Sequence, residues 1–388
     1  MKEILVKNNE NERTIFLVEE EKLVEYYRER KQTKTLEGNI YIGKVQNIIS
    51  GLDAAFVNLG EGKNAFIHKK DIFPKQDVTM ANTQNDTPIT KLIKPGMPLL
   101  VEVKKDKMQT KGARVSTHIS LRGRFVVLMP NSPYVTVSSK IVDEDIKNKL
   151  KTLVRENLPE DMGAIVRTNA EKVKEEDIIK DINVQLKKWE TIKNTEILHF
   201  PKKVYDSGGI LKRLLIDLID YNLDRIIVDS IETQKIIEEI LKELNVKLEI
   251  KISENIESLY NINKEILKLK NNKIWLKSGA FITIDTTEAL TAIDVNTGKF
   301  IGYSNSEETV CKVNEEAAIE IAKQLRLRDI GGIIIIDFID MKEKEDMDKV
   351  IAALRGQSIK DRSRVQIEGF TKLNLLECTR KHISINIE

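Results

Sequence analysis

The sequence predicts an α/β protein of several units with a small β-barrel in its first third. Three observations carry that expectation. Between residues 38 and 121 lie five short strand-like runs, NIYIGKVQNI, LDAAFVNLG, NAFIHK, MPLLVEVKK and VSTHISL, separated by Gly-rich or polar turns, the layout of a small barrel. Beyond residue 123, strand-like and helix-like segments alternate, as in an α/β layer. The chain has 388 residues, enough for about two to four folding units at roughly 100 to 200 residues each.

In chain order, residues 2–7 and 13–20 read as two strands about the polar turn NNENE, and the barrel runs follow. Between the third and fourth runs, PKQDVTMANTQNDTPITK is polar and Pro-bounded and is expected to be a long mobile loop. Residues 123 to about 200 read as strand RFVVLMP, strand YVTVSS, helix VDEDIKNKLKTLVREN, strand GAIVRT and the long helix KEEDIIKDINVQLKKWETIK. From about 207 to 276, helix GILKRLLIDLID precedes strand RIIVDS, helix IETQKIIEEILKEL, strand VKLEIKI and helix ENIESLYNINKEILKL. The last unit starts at 279 with paired strands AFITID and ALTAIDVN. A helix over about 305–327, the strand GIIIIDF, another helix and strands near RVQIE and NLLECT complete it.

Composition narrows the class. Charged residues make up 32% and hydrophobic ones 41%, the balance of a soluble protein, and no apolar run approaches the ~18 residues of a membrane span. The first residues, MKEILVKNNENER, contain no apolar signal core, so a cytoplasmic address is expected. Cys311 and Cys378 form no C-x-x-C, so neither a disulfide framework nor a self-contained zinc site is expected, and both read as small apolar residues. The net charge is only +2, so a nucleic-acid partner would have to be gripped by local basic clusters.

Two apolar runs carry acids where burial should disfavour them: AIDVNTG, residues 292–298, and IIIIDFID, residues 333–340. If TAIDVN is extended, Ile293 and Val295 point one way and Asp294 and Asn296 the other. The isoleucine run reads as a central strand buried on both faces, with Asp337 near its carboxyl end, the edge where open α/β sheets place ligands. A divalent cation between Asp294 and Asp337 would offset their cost, and hard Mg²⁺ or Mn²⁺ suits such oxygens. On pattern alone, salt bridges to Arg or Lys fit equally well. Asp340 reads as a helix N-cap, and Asp285 as a turn cap or a supporting acid.

At these residues the chain resembles the ribonuclease E/G family of endoribonucleases. The matching text includes ITIDTTEALTAIDVNTGKFIG, ETVCKVNEEAAIEIAKQLRLRDIGGIIIIDFIDM, DRSRVQ and LLECTRKH, with GNIYIGKVQNIISGLDAAFVNLGEGKNAFIH, KGARVSTHISLRGRFVVLMPNSP and GAIVRT upstream. The resemblance implies cleavage of single-stranded RNA, leaving 5′-phosphate and 3′-hydroxyl ends, with Mg²⁺ (or Mn²⁺) held by Asp294 and Asp337 and supported by Asn296. It also implies an RNase H-like subdomain from about 1–36 and 206–278, an inserted S1-type OB barrel over 37–122, a 5′-sensor region over 123–205, and a DNase I-like catalytic subdomain over 279–388. The roles implied are ribosomal RNA processing or messenger decay. The four histidines form no motif, which leaves a metal-free route through paired imidazoles without support.

The resemblance assigns further residues. Phe56 and Phe66 match base-stacking aromatics, although a strand Phe read alone belongs in a barrel core. KKDKMQTKGAR gathers Lys104, Lys105, Lys107, Lys111 and Arg114, a solvated face or a set of phosphate contacts, and Lys111 matches an RNA contact. Arg167 and Thr168, with main-chain groups at Gly123 and Val127, match a 5′-monophosphate pocket. Among Arg326, Arg328, Arg364 and Arg380, at least Arg364 or Arg380 is expected to touch RNA, with structural salt bridges the competing role. The family's C-P-x-C zinc link does not occur in these residues. No zinc is therefore expected, and a homodimer is expected to be weakened or absent. A non-cleaving RNA-binding protein of the same fold is the alternative.

Overall fold

The computed structural model describes residues 1–30, 35–73, 87–107, 111–196, 199–219, 223–298 and 306–383; most of the expected mobile loop falls outside them. The chain forms two compact units, Met1–Gln32 with Leu223–Glu388, and Thr33–Asn222.

In the Thr33–Asn222 unit the five short runs close on themselves. Strands Ile40–Ile49, Ala54–Asn58, Ala65–His68, Arg114–Ser116 and Pro98–Lys105 neighbour one another in that order, and the last pairs back onto the first. Closure removes the unpaired edges a five-stranded sheet would expose. Alternate residues, among them Val45, Ala55, Val57, Ala65, Ile67, Val101, Val103 and Val115, fill the interior.

A second sheet in this unit orders Val135–Val137, Gly163–Val166, Val126–Met129 and Leu121–Arg122. Its core includes Phe125, Leu128, Ala164 and Val166 together with Ile178 and Ile182 of helix Glu175–Lys193. Helix Glu144–Glu156 starts where its sequence dictates: Asp143 caps it, accepting from the Asp145 and Ile146 amides at 2.9 and 3.0 Å. Helix Gly209–Leu218 also lies in this unit, where Arg213 meets Glu37 at 3.1 Å.

The other unit holds two sheets. One orders Glu249–Ile252, Arg225–Val228, Lys2–Asn8, Glu12–Glu19 and Lys22–Arg30, parallel across its first three strands and antiparallel across the rest. Lys22–Arg30 is a strand the sequence reading lacks. Its inward positions are Leu23, Glu25 and Tyr27, and the central glutamate disguises the apolar alternation that signals a strand.

The second sheet orders Lys273–Trp275, Phe281–Thr286, Leu290–Asn296, Gly332–Asp337, Leu375–Arg380 and Val365–Phe370. Only Leu290–Asn296 and Gly332–Asp337 are parallel, joined through a segment that includes helix Ser306–Leu327. Ile282, Ile284, Ile293, Val295, Ile334, Ile336 and Leu376 pack with Ala317, Ile321, Val350 and Leu354 of the helices Ser306–Leu327 and Lys344–Ser358. The expectation of a strand buried on both faces fails here: Ile333 is 52% exposed and Ile335 half-buried. Four successive isoleucines hide which of them face helices, so the run could not reveal that its second face is open.

Candidate active site

The open face of this sheet presents the acids. In Leu290–Asn296, Thr291, Ile293 and Val295 turn inward, and Ala292, Asp294 and Asn296 turn outward. Parallel register sets Asp294 directly beside Asp337, with Thr283 as its neighbour on the other side. Adjacent strands lie about 4.8 Å apart and register partners share a face, so both carboxylates stand together at the ends of two parallel strands. Both residues are exposed. The Asn296 side-chain amide donates to Asp294 Oδ2 and so fixes one of the two carboxylates. Among the described residues, no Lys or Arg forms an ion pair with either acid.

Two like charges at roughly 5 Å repel by about 1 to 3 kcal/mol, depending on local screening. A cation between them reverses that sign. Among the described residues no group of three or more metal-ligating side chains is gathered. A pair of carboxylates with an open, solvated side fits Mg²⁺, which keeps several waters and takes one or two protein carboxylates.

Neither neighbouring acid makes the cap that the sequence offered it. Asp340 is not the expected N-cap: helix Lys344–Ser358 begins later, and its cap position is Glu343. Asp285 lies within Phe281–Thr286 on the open face, accepting from Asn272 Nδ2 at 3.2 Å, while Thr287 makes the turn by donating to the Leu290 carbonyl at 2.8 Å.

The arginines divide. Arg380, expected among the RNA contacts, is 2% exposed and gives its guanidinium to Asp361 at 2.7 Å and to Asp329 at 2.8 Å. A guanidinium buried between two carboxylates has no face left for phosphate, so Arg380 is corrected to a structural role. Arg326 is likewise committed, to Glu25 at 2.9 Å and Glu19 at 2.8 Å, and Arg328 donates to the Leu269 and Asn271 carbonyls at 2.9 Å. Arg364 is exposed, and no carboxylate among the described residues pairs with it. Cys311 and Cys378 are both buried, and burial pushes their thiols up to about 11 and about 12.

In the other unit, Phe56 and Phe66 are register partners, with ring centroids 6.1 Å apart and planes at 72°. Both are half-buried and outside the barrel core, because Ala55, Val57, Ala65 and Ile67 take the inward positions. The next strand pairs Arg114 with Phe66, but that guanidinium is held by Asp71 at 2.8 Å. Lys104 is similarly held by buried Glu102 at 2.6 Å. Of the expected cluster, Lys105, Lys107 and Lys111 are exposed. Lys111 precedes Gly112, where a Cβ would lie 2.0 Å from the Asn64 carbonyl oxygen; only a glycine lets this segment run so close to Asn64.

The Gly123–Val127 turn and Arg167 also meet. Arg167 donates to the Gly123 carbonyl at 2.8 Å and forms an ion pair with Asp217. Thr168 shares a 2.9 Å hydroxyl hydrogen bond with Ser138. Val127 is half-buried between Arg122 and Ile165 in the sheet. Asp181 organises the turn: its Oδ2 accepts from the Phe125 and Val126 amides at 2.8 and 3.1 Å, and a Cβ at Gly123 would fall 2.3 Å from that oxygen. Sequence reading missed Asp181 and Asp217. The signal for Asp181 was an acid inside the buried stripe Ile178, Asp181, Ile182, Gln185 of a helix, where an acid needs donors.

Comparison with known proteins then decides the family. The profile of the Ribonuclease E/G family matches residues 120–383. The chain belongs to the ribonuclease E/G family. It is 38% identical over 400 residues to ribonuclease G of Salmonella typhimurium, covering 100% of this chain and 81% of that protein. Ribonuclease G of Escherichia coli matches at 37% with the same coverage. Ribonuclease E of Nostoc sp. matches at 38% over 360 residues, 90% of this chain and 52% of that protein. The family match covers the whole open-faced sheet and the Arg167 region. Among the described residues, no helix is long and apolar enough to cross a membrane.

Proposed function

We propose that this chain is an endoribonuclease that cuts single-stranded RNA at the Asp294–Asp337 pair. Family membership supports the activity class, and the parallel register that sets these two acids side by side, free of any Lys or Arg among the described residues, supports the place. Asp294 and Asp337 would hold a single Mg²⁺ or Mn²⁺, and Asn296 keeps the Asp294 carboxylate oriented. Such an ion, when bound, supplies Lewis-acid stabilisation of a phosphoryl oxygen and lowers the pKa of a water. The exposed face leaves room for a phosphodiester beside the acids, and cleavage leaves 5′-phosphate and 3′-hydroxyl ends.

The other unit supplies grip and end recognition in this reading. Phe56 and Phe66 offer ring faces for unpaired bases, Lys111 offers a phosphate contact, and Arg364 does the same near the acids' own sheet. Arg167, Thr168 and the main chain at Gly123 and Val127 would receive a 5′-monophosphate, with Arg167 held in position by Asp217 and the Gly123 carbonyl. The work belongs to ribosomal RNA processing or messenger decay.

The test uses a 5′-monophosphorylated single-stranded RNA with Mg²⁺ or with EDTA. Asp294→Asn and Asp337→Asn are each expected to lower cleavage by about a thousandfold or more while RNA binding persists. Full turnover by either variant, or undiminished cleavage in EDTA, would remove the assignment.

A further inference from the structure

The open face that holds Asp294 and Asp337 also carries an aromatic pair, exposed Trp275 and half-buried Phe281. Strand Lys273–Trp275 pairs Trp275 with Phe281 and Lys273 with Thr283, and the next strand pairs Phe281 with Asn296 and Thr283 with Asp294. Register partners share a face. Two rows therefore run side by side across the sheet: Trp275, Phe281, Asn296, and Lys273, Thr283, Asp294, Asp337.

Trp275 is 57% exposed. Its ring lies 5.2 Å from that of Phe281 at a 58° tilt. The Lys273 ammonium sits 4.5 Å from the Trp275 centroid and 3.5 Å from that of Phe281, and no carboxylate among the described residues pairs with it. Just past the strand that carries Asn296, Gly298 has φ +61°, and a Cβ there would lie 2.5 Å from the Gly279 carbonyl and 3.4 Å from the Trp275 ring. The glycine thus lets the rings lie close to the strand end without obstruction. Taken alone, Trp275 and Lys273 are an ordinary surface cation–π pair. Their shared rows with Asn296 and Asp294 give the pair a ligand.

We infer that Trp275, Phe281 and Lys273 form a nucleotide subsite for the unpaired stretch of RNA flanking the scissile phosphate. Trp275 stacks on a base, and Lys273 presents its charge to an adjoining phosphate. Across two strand spacings Trp275 stands about 10 Å from Asn296, close enough to serve a nucleotide near the cut. Stacking of this kind accepts any base. The inference rests on the reading of Asp294 and Asp337 as the cleavage site.

Only two tryptophans occur in the chain, and Trp189 is 7% exposed, so Trp275 is the solvent-accessible reporter. The full chain carrying Asp294→Asn is titrated with a short, unstructured, 5′-monophosphorylated RNA of mixed A and U, following intrinsic fluorescence and acrylamide quenching. RNA is expected to change the exposed emission and protect it from acrylamide. Adding Trp275→Ala is expected to weaken binding roughly five- to tenfold, while Trp275→Phe keeps a ring and retains most of the affinity. Unchanged emission at saturating RNA overturns the subsite, as does a Trp275→Ala variant that is folded by circular dichroism and binds as tightly as its parent. Burial of Trp275 that grows with protein concentration in the absence of RNA also overturns it, assigning the face to a second copy of the chain. The two readings fail separately: if Asp294→Asn and Asp337→Asn still cut, the cleavage site is wrong, and if they are inert while Trp275→Ala binds normally, only the subsite is wrong.

Discussion

Two groups of acids in the same unit meet opposite fates. Glu25 is fully buried, yet Arg326 reaches it at 2.9 Å, Arg362 at 2.9 Å and the Tyr27 hydroxyl at 2.7 Å. Asp361 and Asp329 are nearly as buried and share Arg380. Asp294 and Asp337 are exposed, adjacent and without a guanidinium or ammonium among the described residues. A buried carboxylate must be paired at folding because water cannot reach it. An exposed pair can wait for a mobile cation. The contrast separates acids that hold the fold from acids proposed to hold a ligand, and each group is expected to fail differently when altered.

The largest difference is in activity. Asp337→Asn is expected to remove cleavage while shifting unfolding by no more than about 0.5 kcal/mol, the range of an exposed substitution. Chemical denaturation run beside the RNA assay checks both halves. Arg380→Met should do the reverse: it takes the buried guanidinium away from Asp361 and Asp329 and lowers stability by about 3–5 kcal/mol. Denaturation at neutral pH reads this, and an unaffected midpoint would place Arg380 outside the structural group.

Acid sharpens the same division. Burial alone would raise the Glu25 pKa, but Arg362 and Arg326 outweigh it and hold the carboxyl at about 2, below its ordinary 4.5. A depressed carboxyl stabilises the fold fully above its unfolded pKa, and that contribution fades as pH falls from about 4.5 toward about 2. At stake is on the order of 3 kcal/mol. Denaturation midpoints between pH 6 and 2, on the order of the range just given, should fall for the wild type and fall less for Glu25→Gln. The smallest effect belongs to Asp285, exposed and bonded only to Asn272 among the described residues. Asp285→Asn should leave stability within about 0.5 kcal/mol and cleavage nearly unchanged, and a large activity loss would extend the ligand-holding group to a third acid.

Much of this was legible in the sequence. The barrel runs and the alternation in TAIDVN follow from local rules of period. The nearness of Asp294 to Asp337 does not, because it depends on parallel register between strands separated by a long helix, a non-local property. Arg380 and Arg364 are indistinguishable as letters; only burial divides them. Lys22–Arg30 was missed because Glu25 takes an inward position, and the open face because four isoleucines look alike from either side. Where sequence patterns misled, a charged side chain had been buried with a partner or an apolar one left exposed.

The central claim is that Asp294 and Asp337 jointly hold one divalent ion. Calorimetric titration of Mn²⁺ into the wild type, Asp294→Asn and Asp337→Asn tests it without reference to cleavage. One saturable ion on the wild type, lost in both variants while their unfolding midpoints hold, is the expected result. Equal Mn²⁺ binding by all three proteins would contradict it.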